Sequence, residues 1–514
     1  MSDSKPDTIV VLDFGGQYCH LIARRVRQLR VYSEILPSNI PSSEIQHRVE
    51  IKGIILSGGP SSVYEKDAPQ FDASILETGL PVLGLCYGHQ LIANIIGGDV
   101  RAGEKREYGI TYVTVNKPVD ILQGLNRSEK VWMSHGDTVY SLPDEYEILA
   151  FTDNAPIAAF RHAKKPIYGL QWHPEVTHTE HGDEVLRNFV FEICDCKANW
   201  KPESFIQKGV KEIRNAVNDE KAVIALSGGI DSGTAAVLAS RALGEKLTAV
   251  FVDHGFMREG ETRSVKEAFE GLGVKLVQLD ERDRFFRRLK GISDPEEKRR
   301  IIGEAFIRVF EDFADKIGAE YLIQGTIYPD RIESGAGRGA STIKTHHNVG
   351  GLPDKIRFKA IIEPLRDLYK DEVREVAKQL GLSNELVWRQ PFPGPGLAVR
   401  VMGQISEEKI DVVRKADDIV VEEVKKIDLN NRFWQFFAVL TDTKSTGIKG
   451  DARAYGYTVA VRAVESREAM TASFSKLPYV VLERISTRIT NEIPQVVRVV
   501  YDITHKPPAT IEWE

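Results

Sequence analysis

The stretch Ser227-Gly228-Gly229-Ile230-Asp231-Ser232 stands between an apolar run, Ala222 to Leu226, and an Ala- and Leu-rich segment, Gly233 to Leu243. The run reads as a buried parallel strand and the segment as a helix. Asp231 or Ser232 is expected to cap that helix by accepting from its free N–H groups. A strand, a glycine turn and a helix N-terminus make an anion site, because unpaired N–H groups and the helix dipole converge on one spot. Gly228 and Gly229 let the backbone approach a phosphate with no side chain in the way. The common phosphate loop needs Gly-x-x-x-x-Gly-Lys-Ser/Thr. No Lys stands in that place here, so ordinary γ-phosphate chemistry is not implied. On these residues alone, a tight turn with no ligand is an equal alternative.

A second reactive candidate is Cys86. Gly84 and Gly88 flank it two residues away on each side, the pattern of a sharp nucleophile elbow. At a helix start its thiolate is stabilised by the dipole. A buried, inert Cys is the alternative, but a packing Cys needs neither glycine. Ile167 to Glu175 reads as a strand ending in His173 and Glu175. Residues i and i+2 of a strand share a side, so Glu175 can orient His173 while His173 takes the thiol proton. His20, His47, His162, His178 and His181 read as structural.

The elements needed to hold these groups alternate along the chain. Apolar strands at Thr8–Phe14, Pro81–Leu85, Ala222–Leu226, Leu247–Val252 and Val274–Leu279 are followed by helical segments, and Gly53–Leu56 and Tyr321–Gln324 read as further strands. Such alternation predicts parallel α/β sheets, whose ligands sit beyond the carboxyl ends of the strands. A polar linker is expected at 195–202, and the Pro/Gly-dense Trp388–Leu397 marks a further boundary. The expected fold is α/β: two doubly wound, mostly parallel sheet domains (8–197 and 198–389), then a smaller α+β domain (390–514). A length of 514 residues agrees with two or three domains. The net charge of −6 argues against a nucleic-acid partner. With no apolar run of 18 residues and a polar N-terminus, no membrane partner is expected, and the cytosol is the expected location. Cys19, Cys86, Cys194 and Cys196 are few for this length and read as free thiols.

Ser227 to Ser232, with Val252-Asp253-His254-Gly255 after the next strand, resembles the pyrophosphate loop of the N-type ATP pyrophosphatases. That resemblance implies cleavage of ATP between its α and β phosphates, an adenylyl intermediate, pyrophosphate on residues 227–232 and adenine near Val252. Gly84-Leu85-Cys86-Tyr87-Gly88-His89-Gln90 and Gln171-Trp172-His173-Pro174-Glu175 resemble the class I glutamine amidotransferases over roughly residues 8–197. This implies that Cys86 attacks the side-chain amide of glutamine, with Gly59 and Tyr87 N–H groups holding the oxyanion. It also implies that Ser134-His135-Gly136-Asp137 shapes the glutamine pocket.

Pro391-Phe392-Pro393-Gly394-Pro395-Gly396-Leu397 and the tail Lys506 to Glu514, with the two catalytic sets, make nearly the whole chain resemble the glutamine-hydrolysing GMP synthetase family. The resemblance implies that ATP adenylylates xanthosine monophosphate (XMP) at its C2 oxygen and that ammonia displaces AMP to give GMP. It further implies that the C-terminal domain completes the XMP site and forms a homodimer. Arg299, Gln435, Lys506, Ile511 and Glu512 are the implied XMP contacts. Lys506 suits a phosphate as a compact cation, whereas Arg299 fits equally well in the solvated face 296–300. Asp330 is either a turn residue after Pro329 or, with Asp231, a Mg²⁺ ligand. The Gly-rich Ser334 to Pro353, with Lys344, His346 and His347, and with Lys359 beyond it, reads as a lid that excludes water, or as a surface loop. NAD synthetases and tRNA-modifying enzymes share the pyrophosphate loop but not the Pro-Gly segment or the tail. A non-enzymatic glutamine or nucleotide sensor would need neither catalytic set intact.

Overall fold

The computed structural model describes residues 5–333, 357–427, 433–466 and 472–514, except the side chains of 202–204 and 331–333. They fall into two compact units, divided between Lys201 and Pro202.

The first unit is built on nine strands: β1 (Thr8–Asp13), β2 (Tyr32–Pro37), β3 (Ile51–Leu56), β4 (Val82–Leu85), β5 (Asp99–Val115), β6 (Ser128–Ser141), β7 (Tyr146–Phe151), β8 (Ala159–His162) and β9 (Ile167–Leu170). Their order is β2-β1-β3-β4-β9-β8-β7-β5-β6. The first five are parallel and the rest antiparallel. The division follows side-chain patterning. β1 and β4 are apolar and buried on both faces, as parallel strands require. β6 alternates buried with half-buried positions over much of its length, as a one-sided antiparallel strand does. The carboxyl ends of β1, β3, β4 and β9 lie side by side and deliver Phe14, Ser57–Gly59, Cys86 and the Gln171–Glu175 turn to one edge.

The expected linker is partly wrong. Trp200 is buried in the first unit, its ring 4.8 Å from that of Tyr32, with the Arg27 guanidinium over both rings. A large aromatic gains more from that burial than from solvent, so the polar stretch around it does not run free.

In the second unit a parallel sheet comprises β10 (Lys221–Leu226), β11 (Leu247–Asp253), β12 (Leu276–Asp280), β13 (Ala319–Ile323) and β14 (Ala360–Ile362), in the order β12-β11-β10-β13-β14. The chain winds outward from β10 through β11 and β12, then returns to the other side of β10 through β13 and β14. The loop after β10 therefore sits at the topological switch point, the ligand crevice of a doubly wound sheet. A third sheet has β15 (Gln435–Lys449) antiparallel to β16 (Ala452–Glu465), which also pairs with β17 (Ser473–Phe474) and, in parallel, with β18 (Val496–Tyr501). Val223 and Val250 of the parallel sheet, Ile302 and Val309 of helix Pro295–Ile317, Val413 and Val420 of helix Glu407–Lys425, and Leu440 and Val459 of the third sheet share one apolar core.

Candidate active sites

Cys86 occupies the sharp step from β4 into helix Tyr87–Ile95, with φ 51° and ψ −102°. A non-glycine residue with positive φ is strained, and such strain persists only where its surroundings enforce it. The two glycines explain the enforcement. A Cβ on Gly84 would lie 2.5 Å from the Gly88 carbonyl oxygen, and one on Gly88 2.5 Å from the Leu56 carbonyl oxygen. The elbow closes only because neither side chain is there.

His173 and Glu175 meet as expected, but not for the expected reason. β9 ends at Leu170, so both residues lie in the turn beyond it and strand periodicity does not align them. The turn nevertheless brings His173 Nδ1 within 2.7 Å of Glu175 Oε1, both side chains buried. That bond leaves Nε2 for the thiol, and the His173 ring and the Cys86 side chain both border Gly58. A Cβ on Gly58 would sit 3.1 Å from His173 Cε1 and 3.7 Å from Cys86 Cβ, so Gly58 keeps the gap between the two groups clear. Burial alone would lower the His173 pKa, but the Glu175 carboxylate and Cys86 outweigh it and hold the ring well above 6.5. Tyr87 opens its helix, so its N–H has no partner four residues back. A Cβ on Gly59 would come within 3.2 Å of the Tyr87 ring, which places the two expected oxyanion residues side by side.

Around the thiol, the Ser134 carbonyl lies 3.6 Å from Cys86 Sγ, and Gln90 Nε2 donates to the Asp137 carbonyl at 2.8 Å. His135 is wedged between the Glu107 carboxylate (2.9 Å) and the Asp137 carbonyl (2.8 Å). Glu107, which sequence reasoning missed, fixes His135 from the directly paired position on the adjacent strand β5.

In the second unit, helix Ile230–Leu243 begins with Gly229 at its cap position and no side-chain cap. The expected capping by Asp231 or Ser232 is therefore corrected: both lie inside the first turn. Ser232 Oγ instead closes the loop, accepting from Ser227 N–H at 3.2 Å and meeting Ser227 Oγ at 3.0 Å. Gly228 has φ 75°, and a Cβ there would meet Glu261 Oε1 at 2.7 Å. Arg389 grips this corner, donating from Nη1 to the Gly228 carbonyl at 3.0 Å and from Nη2 to the Glu261 carboxylate. Lys370 Nζ pairs with Asp231 Oδ2 at 2.5 Å, while Asp231 Oδ1 is enclosed with no hydrogen-bond partner. Val252 is buried near the end of the neighbouring strand β11, and Ile230 in the loop itself.

Asp330 Oδ2 accepts from Ile327 N–H at 3.0 Å, at the start of helix Tyr328–Glu333. Among the described residues no group of three or more His, Cys, Asp or Glu is gathered as a metal site. Mg²⁺ needs only one or two carboxylates plus phosphate oxygens, and the unpartnered Asp231 Oδ1 fits that demand. Lys344, His346 and His347 lie outside the described residues. Lys359 pairs with Glu320.

The tail is held by buried cations. Arg400, fully buried, donates to both carboxylate oxygens of Glu512 at 3.1 Å each and to Asp417 at 3.1 Å. Gln435 Nε2 donates to the same Glu512 carboxylate. Ile511 is buried with Phe437, Val439 and Val464, and Arg462 holds its carbonyl at 2.8 Å. Lys298 and Arg299 reach Glu514 through its carboxylate and its backbone carbonyl respectively. The Lys506 backbone exchanges hydrogen bonds with Ala472. Arg258 lies over the Phe392 ring at 4.4 Å and 3.4 Å from Asp417, with buried Nε and Nη2 lacking hydrogen-bond partners. The structure thus joins Gln435, Ile511, Glu512 and Arg299 through one tail. Arg258, Lys298 and Arg400 are additions. Only their charge was visible in sequence, and charge alone marks a surface residue more often than a buried one.

Comparison with known proteins agrees with this division. Residues 10–193 match the class-I glutamine amidotransferase family model, residues 202–301 a NAD synthase model, and residues 422–513 the GMP synthase C terminal domain. The chain is 53% identical over 512 residues to "GMP synthase [glutamine-hydrolyzing]" of Caldanaerobacter subterraneus subsp. tengcongensis, covering 99% of both chains. It is 54% identical over 510 residues to the protein of the same name from Caldicellulosiruptor saccharolyticus, again covering 99% of both. The Geobacillus kaustophilus protein of that name is 52% identical over 510 residues, with 99% of each chain covered. On this full-length similarity, the chain belongs to the glutamine-hydrolysing GMP synthase family.

Proposed function

We propose that the chain carries out glutamine-dependent GMP synthesis with its labour divided between its two units. In the first, Cys86 Sγ attacks the glutamine side-chain amide as His173 takes the thiol proton. Glu175 holds the imidazolium that forms, and the Gly59 and Tyr87 N–H groups receive the oxyanion. His173 returns the proton to the departing ammonia, leaving a γ-glutamyl thioester that water hydrolyses to glutamate. In the second unit, the residue 227–232 loop holds the β and γ phosphates of ATP, with adenine beside Val252. The C2 oxygen of XMP attacks the α phosphorus, and ammonia then displaces AMP.

XMP lies against Arg299, Gln435, Lys506, Ile511 and Glu512, and Arg258 Nη2, which has no hydrogen-bond partner, is available to it. The observation that carries this assignment is the meeting of Glu512 with Gln435 and buried Arg400, in the same compact unit as the loop at the switch point. Mg²⁺ held by Asp231, with Asp330 as a second carboxylate, would neutralise the pyrophosphate. Domains at 8–197, 198–389 and 390–514 fit these roles.

A homodimer through the C-terminal region is supported by apolar side chains left exposed there, among them Ile448, Tyr455, Tyr479 and Val480. Sedimentation at several concentrations tests it, a monomer throughout being the contrary result. No helix among the described residues is long and apolar enough to cross a membrane. Incubation with XMP, ATP, Mg²⁺ and glutamine tests the function. GMP, AMP and pyrophosphate should form together, and their absence would contradict it.

A further inference from the structure

Ser134 to Asp137 on β6 form a wall beside the Cys86 thiol, and a buried pair behind them sets where that wall stands. The Ser134 carbonyl comes within 3.6 Å of Cys86 Sγ. The Asp137 carbonyl accepts from two side chains, Gln90 Nε2 at 2.8 Å and His135 Nδ1 at 2.8 Å. The Asp137 carboxylate accepts from the Tyr64 hydroxyl at 2.9 Å. Glu107 stands directly opposite His135 across β5 and β6, so the two side chains leave the sheet on one face. The register slips between Ala102 and Glu107, where Ala102 faces Asp137 and Glu107 faces His135. β5 thus carries extra residues over this stretch, an irregularity that re-aims side chains beside active sites.

The hydrogen bonds around Glu107 run in one sense. Its Oε1 meets Thr152 Oγ1 at 3.0 Å and Asn154 Nδ2 at 3.3 Å. Thr152 Oγ1 already accepts from the Asn154 and Ala155 N–H groups at 3.2 and 2.9 Å, so its single proton goes to Glu107. Oε2 meets His135 Nε2 at 2.9 Å. Burial opposes the Glu107 charge, but His135, Asn154 and Thr152 together hold its carboxyl below the ordinary value. The His135 ring therefore faces two acceptors, a carboxylate and a carbonyl. It satisfies both only with a proton on each nitrogen. The Glu107 and His135 side chains are 4% and 2% exposed, so water does not replace either partner.

We propose that Glu107 is a positioning residue for glutamine: through the His135 ring it sets the Asp137 peptide, and with it the seat that the substrate takes beside Cys86. This rests on the glutaminase reading above. Glu107 touches neither the thiol nor the His173–Glu175 pair among the contacts described, and it takes no part in proton transfer. Its work is done before the thiol attacks, so its loss should fall on substrate binding and not on the chemical step.

The test is steady-state glutaminase of the full-length enzyme with XMP, ATP and Mg²⁺ present, alongside GMP synthesis from added ammonia. Glu107→Leu should raise the glutamine KM at least about tenfold, with kcat within about threefold of the parent and ammonia-dependent synthesis within about twofold. Glu107→Gln is the rescue. Its amide offers an oxygen to Thr152 and Asn154 and an N–H to Nε2, which leaves a neutral ring with its hydrogen on Nδ1 for Asp137. Its glutamine KM should stay within about threefold of the parent. A folded Glu107→Leu whose glutamine KM stays within about twofold overturns the proposal, as does a Glu107→Gln damaged as much as Glu107→Leu. Either result leaves Glu107 as a buried charge that only the fold needs. Should Glu107→Leu lose its cooperative unfolding transition, Glu107→Asp, which draws the carboxylate back from His135, is judged by the same thresholds. Failure of the parent enzyme to hydrolyse glutamine would instead refute the glutaminase reading itself.

Discussion

Glu175→Gln would remove the carboxylate that His173 Nδ1 meets at 2.7 Å. The exchange conserves shape, so it isolates charge and tautomer from packing. Glu175 is fully buried, water does not replace what is lost, and the new amide can turn its NH₂ toward Nδ1 and fix the wrong tautomer. In the serine-hydrolase template the equivalent change costs about 10⁴ in turnover. Here one oxygen of a single charge-assisted bond is involved, so the expected loss of glutaminase is about 10² to 10⁴-fold, or about 3–5 kcal/mol of barrier. GMP synthesis from added ammonia should stay within twofold. The variant also has a pH signature. The His173 pKa is raised in the fold, so its contribution to stability is complete below the unfolded histidine value, about 6.5. It disappears as pH rises through the folded value. Denaturant melts of parent and variant should therefore differ most at pH 6 and below and converge in the alkaline range. A glutaminase loss under fivefold, or equal damage to ammonia-dependent synthesis, would refute the role given to Glu175.

Other expectations are simpler. Cys86→Ala should abolish glutamine use and keep synthesis from ammonia; loss of both would make Cys86 structural. Gly84→Ala would set a Cβ 2.5 Å from backbone atoms of Gly88; it should destabilise by about 1–3 kcal/mol and lower glutaminase, with an unchanged melt as the contrary result. Glu514→Ala would strip the fully buried Lys298 of its carboxylate, for which about 3–5 kcal/mol is expected in chemical denaturation. A loss under 1 kcal/mol would mean that the Val401 carbonyl, 2.7 Å from Nζ, is enough.

Much of this site was legible in the sequence where the backbone itself carries the signal. Gly84, Gly88 and Gly228 mark close approaches that no other residue permits, and the structure shows a contact at each. The apolar runs that became β1, β4, β10 and β11 needed no tertiary information, because strands buried on both faces are apolar throughout. Failures arose where identity underdetermines place. Asp231 and Ser232 have capping side chains, but Gly229 takes the cap position and frees them for Lys370 and Ser227. His173 and Glu175 have strand spacing but sit in a turn. Arg258, Lys298, Lys370 and Arg400 act across more than a hundred residues of sequence or from inside the core. A charged residue's burial is set by partners that only folding assembles. Glu107 was hidden for the same reason.

The most direct measurement follows nitrogen and phosphate together. The full-length enzyme is given glutamine labelled with ¹⁵N in its side-chain amide, with XMP, ATP and Mg²⁺. The label should appear on the exocyclic amine of GMP, with one AMP and one pyrophosphate formed per GMP. Glutamine consumed while XMP stays unchanged, or ADP and orthophosphate in place of AMP and pyrophosphate, would contradict the account.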